Sequence, residues 1–175
     1  MSLNGMGRKI VMGLGNTLNK DEGLGVHALA SLEAKLADRA PQVEFIDGGT
    51  LGLNLLPWVE GASHLLVLDS IVSRFSLPGQ VLELKKDEIP LYRNIKMSDH
   101  QITFQEVLGL AKFREKFPEN LHLIGAQPVD MSIGYGISPE IEAVMPEILA
   151  RAETILREWG LIEQGPHPKN GEEHR

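Results

Sequence analysis

The chain has 175 residues, 42% of them hydrophobic and 23% charged, the balance of a single soluble globular domain with a real core. Its 17 Lys and Arg against 24 Asp and Glu leave a net charge of −7, and without a basic cluster this argues against nucleic acid or an anionic membrane surface as partner. Cysteine is absent, which excludes disulfides, thiolate zinc sites, iron–sulfur clusters and cysteine nucleophiles, and fits a cytoplasmic location. No apolar run approaches the ~18 residues of a membrane span, and the first ten residues are too polar for a signal peptide.

In chain order, Ile10-Val11-Met12 runs into Gly13, Val43–Ile46 into Asp47-Gly48-Gly49, Leu65–Leu68 into Asp69, and Leu121–Ile124 into Gly125. Continuous rather than alternating hydrophobicity predicts strands covered on both faces, as in a parallel sheet. Val81–Leu84 follows the Leu77-Pro78-Gly79 turn with no helix before it and is expected as an antiparallel addition. Helical stripes lie between these runs. Val26, Leu29, Leu32 and Leu36 form one, and Phe104, Val107, Leu108 and Ala111 another. A weaker helix over Leu51–Val59 is expected to be interrupted by Pro57. The stripe from Ile141 to Trp159 holds period 3.6, with Ser138 as cap and Pro139 in the first turn. The alternation predicts an α/β fold, a three-layer αβα sandwich around a small, mostly parallel sheet with one antiparallel strand. One domain is expected over 1–175, with its core at about 8–160 and a loose tail over 165–175.

In open α/β sheets, ligands bind beyond the carboxyl ends of the strands, where strand order reverses. The residues there are Gly13–Gly25 after the first strand, Asp47-Gly48-Gly49-Thr50 after the second and Asp69-Ser70 after the third, with His100 read as opening the helix of Phe104. Acidic or imidazole groups from four loops thus point to one rim. Glu22, Asp69 and His100 would make an O,O,N ligand set suited to nickel, zinc or cadmium. Singly, each also has a plain structural use: Asp21 or Glu22 starting a helix, Asp69 capping a loop, His100 filling a first turn.

Other chemistries fit less well. Gly13-x-Gly15 follows a strand, but Leu18 stands where a dinucleotide fingerprint needs its third glycine, and no Gly-Lys-Ser/Thr occurs. Gly13 and Gly15 are therefore read as serving a tight strand-to-helix turn. Gly-x-Ser-x-Gly and His-Glu-x-x-His are both missing. Ser70 and Ser73 are expected to be loop hydrogen-bonding residues, His27 and His122 packing or boundary residues, and His64 to precede the third strand.

These residues also occur in a familiar order. Gly13-Leu14-Gly15-Asn16 with Asp21-Glu22-Gly23-Leu24-Gly25-Val26, Asp47-Gly48-Gly49-Thr50, Asp69-Ser70-Ile71-Val72 and Ser98-Asp99-His100-Gln101 resemble the nickel–iron hydrogenase maturation endopeptidases. The likeness closes with Ile124–Pro128 and Gly136–Pro139, and spans about Lys9 to Gly160. It implies an endopeptidase that removes the C-terminal peptide of a hydrogenase large-subunit precursor after nickel insertion. It places the family's metal-contacting positions on Glu22, Asp69 and His100 and implies that the nickel is carried by the substrate, with cadmium or zinc as substitutes in vitro. Asp47 or Asp21 is a further carboxylate able to assist as base. Two rival readings are a non-enzymatic α/β metal- or anion-binding module and a different metal-assisted peptidase of spore-germination type.

Overall fold

In the computed structural model, which describes residues 7–91 and 103–163, the first apolar run becomes β1 (Arg8–Leu14), followed by α1 (Leu24–Leu36), β2 (Val43–Gly49) and α2 (Leu56–Gly61). Then come β3 (Ala62–Ser70), β4 (Val81–Lys85), α3 (Phe104–Phe113), β5 (Asn120–Ala126) and α4 (Pro139–Glu158). The sheet order is β2-β1-β3-β5-β4; only β4 runs antiparallel, against β5. The expected sandwich is observed. α1 and α4 cover one face over a core that includes Val11, Leu29, Leu32, Leu66, Ile148 and Leu156. α2 and α3 cover the other, over Met12, Leu65, Val67, Val59, Leu108 and Leu121.

Three local expectations are corrected. Pro57 does not interrupt a helix; it sits in the first turn of α2, where a missing N–H costs nothing, after a 3-10 turn over Gly52–Leu55. His64 lies within β3 rather than before it. α3 starts at Phe104, after His100, and its N-cap is Thr103, whose Oγ1 accepts from Glu106 N while the Glu106 carboxylate accepts from Thr103 N. Ser138 caps α4 and Pro139 opens it, as expected. His100, and the tail after Gly165, lie outside the described residues. Among the described residues no helix is long and apolar enough to cross a membrane.

The order places the site. β2 lies on one side of β1, and the chain then returns past β1 to lay β3 on its other side. The reversal therefore falls between the carboxyl ends of β1 and β3, where a crevice opens. Register fixes which side chains share a face. Gly13 lies opposite both Asp47 and Leu68, and a Cβ at Gly13 would meet Gly25 and Leu29 of α1. Asp47, Gly13 and Leu68 thus face α1, while Asp69, one residue on, faces the α3 side.

Candidate active site

The crevice is closed from above by the start of α1, and glycine makes the close approach possible. A Cβ at Gly25 would lie 2.0 Å from Leu68 O and 2.4 Å from Leu14 O, so α1 is seated directly on the ends of β1 and β3. Gly15, at φ +121°, would put its Cβ 1.7 Å from Glu22 O. Gly13 and Gly15 therefore serve the turn and its packing, as the sequence reading held. The turn Lys20–Gly23 that they accommodate delivers Glu22 over the end of β3.

Within that turn two neighbouring acids part ways. Asp21 is fully buried. Its Oδ2 accepts from Val129 N (2.9 Å), Asp130 N (2.8 Å) and Ser138 Oγ (2.9 Å), and its Oδ1 from Ser138 N (2.6 Å). Burial by itself would push this carboxyl up, but the hydrogen bonds from Ser138, Asp130 and Val129 hold it below the ordinary range. It is an ionised clamp on the β5–α4 connection, with its acceptor capacity occupied. Glu22 is only half-buried, and Asn19 Nδ2 donates to its Oε2 at 2.8 Å.

Asp69 ends β3 with 7% of its surface exposed, and its Oδ1 accepts from Ser70 N at 2.8 Å. Burial, partly offset by that hydrogen bond and reinforced by the charge of Glu22, pushes its carboxyl up to about 7. Glu22 thus lies close enough for its charge to act on Asp69, which is buried where Glu22 is only half-buried. Asp69 also borders a pocket walled by Val67, Leu123 and Ile89 and by Phe104, Gln105 and Leu108 of α3.

Glu22 and Asp69 are thus brought together, and His100 belongs to the undescribed segment before α3. Asp47 is not brought to them. It is exposed, its Oδ1 accepts from Gly49 N at 3.0 Å, and it stands two strands, about 9.5 Å, from β3 on the opposite face. Among the described residues no three His, Asp or Glu side chains form a metal cluster. The serines act within loops, Ser70 N toward Asp69 and Ser73 Oγ accepting from Phe75 N. His64 and His122 both meet Trp159 edge-on. Sequence reasoning missed the use of Asn19 and the destination of Asp21. The only local signal was two adjacent acids in a glycine-flanked turn, which does not say which one turns inward.

Fold and site together define an α/β protein with a carboxylate pair at the switch point between β1 and β3. A sequence profile described as hydrogenase maturation protease matches residues 26–155. The chain is 36% identical over 156 residues to the hydrogenase 2 maturation protease of Escherichia coli (strain K12), covering 88% of this chain and 93% of that protein. It is 38% identical over 156 residues to the hydrogenase expression/formation protein HupD of Rhizobium leguminosarum bv. viciae, covering 88% and 76%. The structure of the hydrogenase maturating endopeptidase HybD from E. coli superposes with a TM-score of 0.78 at 35% identity, over 87% of this chain and 94% of that one. The chain belongs to the hydrogenase maturation protease family and is an endopeptidase, a hydrolase of peptide bonds.

Proposed function

We propose that this protein removes the C-terminal peptide from the nickel-loaded precursor of a hydrogenase large subunit, with Glu22, Asp69 and His100 reading the nickel that the precursor carries. The observation that carries the reading is the convergence of Glu22 and Asp69 at the switch point, with the Asp69 carboxyl raised chiefly by burial and further by the charge of Glu22. Such a pair is costly to leave charged without a cation, and a divalent ion arriving with the substrate relieves that cost. His100, from the segment entering α3, supplies the nitrogen that biases an otherwise oxygen set toward nickel, zinc or cadmium. The reaction takes place in the cytoplasm, where the precursor is made.

Cleavage needs a polarised carbonyl, an attacking water and an acceptor for its proton. Glu22 and Asp69 would hold the nickel that the substrate brings, and the chemistry it would supply there is polarisation of the carbonyl or the water. Burial favours a proton on Asp69 while the crevice is empty, and that proton is released when a cation engages the carboxylate. Asp21 is excluded from that duty by its four donors. Asp47 faces the other side of the sheet, so Asp47→Asn is expected to process precursor within about threefold of wild type, whereas Glu22→Gln and His100→Ala lose more than about a hundredfold.

The test is the intact mass of precursor after mixing with the protein, nickel-loaded in one tube and nickel-free in the other. Peptide loss only from the loaded precursor supports the whole reading. Cleavage in both keeps the peptidase and removes nickel reading. Cleavage in neither, with a competent precursor, leaves a metal-binding module.

A further inference from the structure

Nine of the eleven large apolar side chains that stand exposed among the described residues lie in loops leaving the carboxyl end of the sheet. The other two, Leu110 and Phe113, are on α3. Leu18 follows β1, Leu51 and Leu53 follow β2, and Phe75 and Leu77 follow β3; four more come from the β5–α4 connection, where Ile133 is 89% and Tyr135 84% exposed. Random surface apolar residues scatter singly, and a concentration around one rim marks an interaction surface.

The rim is also held in shape. The β5–α4 connection is gripped from one side by the Asp21 clamp, by Asp21 N to Asp130 O (3.0 Å) and by paired bonds Lys20 N to Gly134 O (3.0 Å) and Gly134 N to Leu18 O (2.8 Å). Lys20 Nζ meets Asp130 Oδ2 at 2.5 Å. From the other side the loop after β3 holds it, with Gly79 N to Gln127 O (2.8 Å) and Ser73 N to Gln127 Oε1 (2.7 Å). Preorganised loops lose little entropy when they bind.

We infer that these loops form an apolar docking collar for the folded body of the precursor, separate from whatever the crevice does to its tail; this rests on the reading of the substrate given above. The collar is continuous with the site, because Asn19, which is bridged to Gly134, also donates to Glu22. It spans the carboxyl ends of four adjacent strands, β2, β1, β3 and β5, roughly 14 Å before the loops spread, which is wider than one extended tail. The net charge of −7 opposes an anionic bilayer as occupant, and Tyr, Phe and Met among the exposed groups are the types enriched at protein interfaces.

The test compares wild type, the double variant Ile133→Glu/Tyr135→Glu and the α3 control Phe113→Glu, reading KM and kcat on nickel-loaded precursor, precursor binding by interferometry, and sedimentation. The double variant is expected to raise KM and weaken binding about tenfold or more, with kcat and melting temperature near wild type and the control unchanged. Equal KM and binding for all three overturns the collar while the peptidase reading stands. Binding by wild type that the double variant loses, without any cleavage, keeps the collar and removes the peptidase reading. Wild type that neither binds nor cleaves removes both. A dimer of this chain that Ile133→Glu/Tyr135→Glu abolishes, with precursor binding retained, gives the rim to a second copy and overturns the proposal.

Discussion

Asp21 and Asp69 sit at the same crevice with opposite electrostatics, and each predicts its own response to pH. For Asp21 the folded carboxyl is lowered, so its contribution is present above the ordinary carboxylate range and is lost as pH falls toward the folded value. Asp21→Asn turns an amide NH2 toward N–H donors and is expected to cost about 3 kcal/mol at pH 7 in urea unfolding, with the gap to wild type narrowing below about pH 4. For Asp69 the folded carboxyl is raised to about 7. Between about pH 4 and 7 the folded state keeps a proton that the unfolded chain has released, so wild-type stability falls as pH rises through that window, by at most about 4 kcal/mol. Asp69→Asn keeps an acceptor for Ser70 N and carries no charge to desolvate. It is expected to match wild type at or below about pH 4 and exceed it at pH 8; a gap that fails to widen with pH contradicts the desolvated carboxyl.

Elements obey packing rules that were partly visible in the residues. Continuous apolar runs ending in Gly or Asp gave the parallel strands and their rim, and the Leu77-Pro78-Gly79 turn gave the antiparallel β4. What could not be read was which of two adjacent acids turns inward, because Asp21 is directed by donors more than a hundred residues away. Nor was the facing of Asp47 legible, because alternation along β2 tells sides apart only once its register to β1 is known. The seat of α1 gives a sharp prediction. A Cβ at Gly25 would press on Leu68 O and Leu14 O, both backbone atoms, so Gly25→Ala must lift the helix from the crevice and is expected to cost more than about 3 kcal/mol in urea unfolding. Gly109 in α3 has only Leu91 O within reach, at 3.6 Å, so the same change there is expected to gain about 0.5–1 kcal/mol from helix propensity. Similar effects at the two sites would mean that α1 is not seated as described.

At the scale of the whole molecule, stability and the proposed reading of substrate nickel would rest on different parts. Two apolar cores, one on each face of the sheet, hold the fold, and Glu22 and Asp69 lie beyond them at the strand ends. The family resemblance in the sequence named Glu22, Asp69 and His100, and the structure joins the first two, but neither apolar core depends on a cation. A resident metal bound only by the folded chain would add stability that grows with its concentration over its dissociation constant, about 2.7 kcal/mol at a hundredfold excess. Nickel that arrives only with the precursor, as proposed, would add none to the free protein. Dialysis against a chelator is therefore expected to leave the melting temperature and circular dichroism of the isolated protein unchanged. The treated protein should process nickel-loaded precursor as fast as the untreated one. A fall of several degrees on chelation, reversed by adding nickel, would instead make the ion a structural or resident cofactor and assign Glu22 and Asp69 to holding it before the substrate arrives.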